Sequence, residues 1–191
     1  MFGVESRWTP DRRHVIIRAD AADTRAARGG HSTMTTAVRP MPPESEIRAI
    51  VGHQFPGGIY TVAHWENFLL TECTGADLLP DGMVHPVVLF HMPILGSRTT
   101  IGEMFALGQA ESDYSIGIES YDWEMFHPLR EEVAYQIGGK VVAAERRARP
   151  DGRPFDRIQF QFTVTQPDGV LAARTTITWH YNRQANRGMK S

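Results

Sequence analysis

From Tyr114 to Tyr181 the chain alternates hydrophobic and polar positions with a period of two. Val133, Tyr135 and Ile137 alternate with polar neighbours. Ile158, Phe160, Phe162 and Val164 alternate with Gln159, Gln161, Thr163 and Thr165. Leu171, Ala173, Thr175, Ile177, Trp179 and Tyr181 do the same against Ala172, Arg174, Thr176, Thr178 and His180. Such alternation marks antiparallel strands with one buried face. Turn signals at Pro128-Leu129-Arg130, Arg149-Pro150-Asp151-Gly152 and Pro167-Asp168-Gly169 divide the region into four strands. Gly138-Gly139 inside one of them predicts a bulge or bend.

Upstream the period changes. Gly57 to Val62 reads as a turn followed by a short strand. His64 to Cys73 has helical spacing, with Trp65, Phe68, Leu69 and Glu72 three and four apart, and Gly75 is placed to stop it. Ala76 to Gly82, with Pro80 and Gly82, is a loop. A long helix is predicted from about Pro86 to Gln109, with Pro86 suited to its first position. Val87, Phe90, Ile94, Ile101 and Phe105 lie near one stripe, and Pro93 should kink or restart the helix. Gly96, Ser97 and Gly102 are weak helix formers, which fits a helix that must approach another backbone closely. The order of elements predicts an α+β domain in which an antiparallel sheet of about five strands wraps one long central helix. The exposed edges of such a sheet favour dimerisation.

Residues 1–43 differ. They are rich in Arg, Ala, Thr, Gly and Pro, and their only apolar cluster is Val15-Ile16-Ile17. The expected organisation is therefore a poorly ordered extension (1–43), one domain (44–183) and a short tail (184–191). Arg28-Gly29-Gly30 upstream of Met34 raises a sharper reading, a translated ribosome-binding sequence with the true start at Met34.

Composition adds limits. The 191 residues are 41% hydrophobic and 22% charged, as in ordinary globular proteins. A formal net charge of -2 makes the whole chain no electrostatic trap for nucleic acid. No apolar run is long enough to span a bilayer, and the single cysteine, Cys73, favours a reducing compartment. A cytoplasmic protein is expected. His85 and His91 are six apart, on different sides of a helix, so no metal site is expected. Cys73 reads as a small core residue. No nucleophile elbow surrounds Ser97, and Gly138-Gly139-Lys140 lacks the pattern of a phosphate loop.

Several segments together resemble the MaoC-like branch of the hot-dog fold. Ile50-Val51-Gly52 followed by Tyr60-Thr61-Val62 resembles the family opening. Met83-Val84-His85-Pro86 with Val87 to Phe90 resembles the entry to its central helix, and Tyr121 to Leu129, ending Phe126-His127-Pro128-Leu129, its aromatic-x-x-Pro-Leu turn before the third strand. The resemblance covers roughly residues 47–181. It implies an acyl-thioester substrate, reversible hydration of a 2-enoyl thioester, and a homodimer or a heterodimer with a second hot-dog subunit. It implies no cofactor beyond the CoA or acyl-carrier phosphopantetheine that the substrate carries.

The departures bear on function. Catalytic members carry Asp-x-Asn-Pro-x-His after the first helix, whereas Asp77 is followed here by Leu78-Leu79-Pro80-Asp81-Gly82. The family's Gly-Asp after Pro-Leu is replaced by Glu131-Glu132. Two readings stand. One is a subunit with a degenerate motif that shapes the acyl channel of a catalytic partner. The other is a self-sufficient hydratase in which Asp77 or Asp81 pairs with His85. A thioesterase or acyl-binding scaffold is a further alternative. Gly96 and Ser97 are candidate substrate contacts. Arg146, Arg147, Arg149, Arg153 and Arg157 form a basic cluster that reads as a solvated hairpin tip. Alternatively, Arg147 and Arg149 contact the 3′-phosphate of CoA or a carrier protein.

Overall fold

The computed structural model describes residues 15–18 and 41–183, and a single antiparallel sheet organises them. In chain order the strands are β1 (Val15–Arg18), β2 (Gly58–Thr61), β3 (Ile116–Met125), β4 (Ala134–Ala148), β5 (Pro154–Thr165) and β6 (Leu171–Asn182). Their order in the sheet is β1-β3-β6-β5-β4-β2. β2 to β6 match the strands that the periodicity predicts. β1 extends the sheet on the far edge of β3, with Val15 opposite Trp123 and Arg18 opposite Ser120. The rest of the 1–43 segment up to residue 40, Met34 included, and the 184–191 tail lie outside the described residues.

The predicted turns close the hairpins. Arg149 N–H donates to the Arg153 carbonyl at 2.9 Å, and Gln166 N–H to the Val170 carbonyl at 2.8 Å. The inward rows of β4, β5 and β6 (Tyr135, Ile137, Phe160, Phe162, Val164, Ile177, Trp179, Tyr181) are buried. The ladder between β4 and β5 shifts register between Val141 and Ala143. Two residues earlier, a Cβ on Gly139 would stand 2.5 Å from the Phe162 ring. Its absence lets Phe55 stack on Phe162 with centroids 5.5 Å apart.

The helical layer consists of α1 (Glu44–Ala49), α2 (His64–Thr74), α3 (Met92–Gly96) and α4 (Ile101–Leu107). α2 ends at Gly75 in the left-handed region, as its sequence predicts. The long helix expected over 86–109 is instead three pieces: a 3-10 turn (Pro86–Phe90), α3 and α4. Pro93 removes one amide from the ladder. Arg98 takes a positive φ of 55°, and a capping box between Thr100 and Glu103 starts α4 afresh. Each break resets the helical phase, so the inward residues are Val88, Leu89, Met92, Ile94 and Met104, while Phe90 and Ile101 face out.

Close approach explains the weak helix formers. A Cβ on Gly96 would lie 2.5 Å from Ile137 Cγ1, and one on Gly58 would lie 2.6 Å from the Gly96 carbonyl. α3 therefore rests directly on β2 and β4. At the other end Arg183 is buried and clamps the end of α4, donating to the Gly108 carbonyl at 2.6 Å and the Gln109 carbonyl at 2.5 Å. Its Nε donates to Asp156 Oδ2 at 2.8 Å, and Arg146 holds the other carboxylate oxygen at 2.7 Å.

Candidate functional site

α2 departs from the arrangement its pattern suggests. Trp65 is 66% exposed and Leu69 53%, with Phe68 also at the surface, while Glu66, Asn67 and Thr71 are buried. Cys73 is exposed as well, which corrects the expectation of a core residue. A buried polar face costs free energy unless its groups are hydrogen-bonded, and these are.

Asn67 donates to Glu131 Oε1 at 2.7 Å and to the Met83 carbonyl at 3.2 Å, and its Oδ1 accepts from His85 N–H at 3.0 Å. Glu131 also meets His64 Nδ1 at 2.9 Å. Donation from Asn67 and the neighbouring His64 hold the Glu131 carboxyl below the usual range against partial burial. Glu131, just after the Pro128-Leu129-Arg130 turn, thus ties α2 to the loop before β4.

Glu66 faces the other way. Its Oε1 accepts from the Tyr60 hydroxyl at 2.7 Å and lies 2.7 Å from His91 Nε2. Three elements converge here: β2 supplies Tyr60, α2 supplies Glu66, and His91 stands at the start of α3. Burial, and then the Glu66 carboxylate, push the Tyr60 phenol well above its ordinary value, so it remains a donor. Tyr60, Glu66 and His91 line one side of a cavity of about 390 Å³ whose other walls are Trp65, Leu69, Leu70 and Leu95. A few convergent polar groups in an apolar cleft are the usual make-up of a small-molecule site. A buried carboxylate against an imidazole can orient that ring and stabilise its protonated form.

The residues singled out in the sequence occupy other places. Asp77 and Asp81 are exposed, and the Asp81 carbonyl accepts from Arg130 at 2.6 Å. His85 uses Nδ1 to accept from Val87 N–H at 3.2 Å, capping the 3-10 turn, and burial lowers its pKa. Among the described residues no hydrogen bond or ion pair joins His85 to either aspartate. Gly96 and Ser97 are buried in packing, with Ser97 Oγ donating to the Ile94 carbonyl at 2.9 Å.

The hairpin-tip arginines have partners of their own. Arg147 pairs with Glu145, Arg153 with Asp151, and Arg157 with Glu119. Arg149 donates to Asn182 and lies over the Phe155 ring, its guanidinium carbon 5.2 Å from the centroid. The polar face of α2 leaves one mark in the sequence, since Asn67 and Thr71, four apart, share a helix side away from Trp65 and Leu69. The pairing of Glu66 with His91, twenty-five positions on, leaves none.

No protein-family model and no curated protein matches the sequence. Solved structures do match. One is in the ChsH1-ChsH2 complex from Mycobacterium tuberculosis, with TM-score 0.55 and 11% identity over 75% of this chain and 91% of that one. Another is in the C-terminally truncated HadBC (3R-hydroxyacyl-ACP dehydratase) complex from the same organism, with TM-score 0.52 and 14% identity over 69% and 96%. A third is a MaoC-like dehydratase, with TM-score 0.54 and 17% identity over 71% of this chain and 43% of that one. The chain therefore has the hot-dog fold.

Proposed function

We propose that the protein binds acyl thioesters, as one subunit of a hot-dog pair that hydrates 2-enoyl thioesters or dehydrates their 3-hydroxy forms. The observation that carries this reading is the apolar cavity between α2 and α3, with Trp65, Leu69, Leu70 and Leu95 as walls and Glu66 and His91 on one side. Burying one methylene in such walls contributes about 0.8 kcal/mol, so a cleft of this make-up favours an alkyl chain. The names of the similar complexes support the substrate class, since one is a 3R-hydroxyacyl-ACP dehydratase.

A paired assembly accounts for exposed apolar side chains in the cleft and on the neighbouring sheet edge. Leu95 is 57% exposed and Ile59, on the edge strand β2, is 65% exposed. A second hot-dog subunit over this edge would cover them and narrow the cleft. Among the described residues no hydrogen bond or ion pair joins His85 to Asp77 or Asp81, so this reading rests no chemical step on them. The thioester brings its own CoA or phosphopantetheine, and the chemistry calls for no further cofactor.

Calorimetric titration of the purified chain with saturated acyl-CoAs of increasing length tests the proposal. Saturable binding that tightens with each added methylene is expected. Binding indistinguishable from that of free CoA at every length would remove the acyl reading.

A further inference from the structure

We propose that His91 is a general base of this chain, oriented by Glu66 and, behind it, Tyr60, and that it moves the proton in hydration of the bound 2-enoyl thioester. The inference rests on the acyl-thioester reading and gives that reading residues of this chain to perform its chemistry.

The geometry is ordered from inside outward. Glu66 is the more buried partner, with 11% of its side chain exposed against 29% for His91. Both Tyr60 Oη and His91 Nε2 meet the same oxygen, Oε1, each at 2.7 Å. A phenol kept in its protonated form can only donate there. A carboxylate oxygen has lone pairs for a second donor, which assigns the proton of neutral His91 to Nε2. Nδ1 then carries the lone pair. It is the nitrogen left for a ligand, on a ring that borders the cavity. Carboxylate behind imidazole is the order in which one group holds the tautomer and stabilises the imidazolium while the other meets the substrate.

The step balances without any further reagent. A water molecule gives one proton to His91 Nδ1 as its oxygen bonds to C3 of the enoyl group. The C2=C3 electron pair moves toward the thioester carbonyl, forming an enolate. The imidazolium returns the proton to C2. The product is the 3-hydroxyacyl thioester, and the reverse sequence is dehydration. Glu66 remains ionised and Tyr60 remains protonated throughout.

A purely structural role for the trio predicts different behaviour, because Asn67, Glu131 and His64 already fasten α2 to the loop before β4. Glu66→Gln keeps shape and can still bond to both neighbours, but removes the charge that stabilises imidazolium.

The test uses the full chain with a trans-2-enoyl-CoA, measuring hydration, acyl-CoA affinity and thermal unfolding on each variant. Expected for His91→Gln and Glu66→Gln is a fall in kcat of about a hundredfold or more, with Kd changed by less than about threefold. Tyr60→Phe keeps the ring and removes one hydrogen bond to the carboxylate, so kcat should fall about tenfold. It serves as the second variant if Glu66→Gln fails to fold. Undiminished kcat in folded His91→Gln overturns the inference. Wild-type protein that binds acyl-CoA yet hydrates nothing also overturns it, while leaving the binding-subunit reading in place. Wild-type protein that binds no acyl-CoA overturns that reading and the inference with it.

Discussion

The inward side of β5 and β6 buries Phe160, Phe162, Ile177 and Tyr181, whereas the inward side of α2 buries Glu66, Asn67 and Thr71. The two regions sit in the same domain and are held by different physics. In the sheet, interlocking rings such as Phe160 against Trp179, with centroids 5.3 Å apart, supply non-directional burial. In α2 the inward contacts are hydrogen bonds that demand particular partners, Glu131 for Asn67 and His91 for Glu66. Of the apolar side chains of α2, Trp65, Phe68 and Leu69 are left at the surface, and Leu70 packs partly buried against the core. The difference teaches that apolar burial is concentrated in the sheet, while on the function proposed above α2 carries recognition and chemistry.

The largest expected effect therefore lies in the sheet. Phe160→Ala, at a fully buried position, should cost about 3–5 kcal/mol in urea unfolding. A cost under about 1 kcal/mol would break the contrast, because it would place Phe160 outside the stabilising core. Asp156→Ala comes next. This carboxylate is fully buried between Arg146 and Arg183, and its loss should cost about 3–5 kcal/mol by leaving the buried Arg183 charge unpaired.

Trp65→Ala should do the opposite on α2. At an exposed position it should change stability by no more than about 0.5 kcal/mol. Acyl-CoA affinity should nevertheless fall about tenfold, as expected when a large aromatic wall is lost. A large drop in melting temperature would show that α2 is stabilised by its outer face after all.

The smallest effect concerns acid stability. Glu119 has its carboxyl pKa lowered to about 2, chiefly by hydrogen bonding to Arg157, with His180 adding to it. An acid whose pKa is depressed on folding contributes stability above its unfolded value, near 4.5, and loses it as pH falls toward 2. Glu119→Gln should lower stability slightly at neutral pH, where the ion pair is fully formed, and make unfolding less steeply pH-dependent between those limits. The pair is partly exposed, so solvent screening keeps the change small.

How far the sequence reveals this molecule follows from the same contrast. A strand's period of two is insensitive to small breaks, and the inward rows of β4 to β6 are the rows the alternation marks. A helical stripe accumulates phase, and the restarts at Pro93 and Thr100 put Phe90 and Ile101 outside the core. On α2 the hydrophobic stripe is real, but burial goes to the polar side because Glu131 and His91 arrive from distant segments to satisfy it. Such partners, sixty-four and twenty-five positions away, leave no local spacing to read. For that reason the resemblance points to Asp77, Asp81 and His85, while the group that converges in the fold is Tyr60, Glu66 and His91. Val15–Arg18 taught the same point, since four residues with no core of their own gain a place by pairing with β3.

The most direct test of the central claim, that the cleft between α2 and α3 takes the acyl chain, is photo-crosslinking with a diazirine-bearing acyl-CoA and peptide mapping by mass spectrometry. The account predicts saturable adducts on the Trp65–Leu70 and His91–Leu95 segments, displaced by unlabelled acyl-CoA. Saturable adducts confined to other segments, such as the Phe160–Trp179 wall of the sheet, would contradict it.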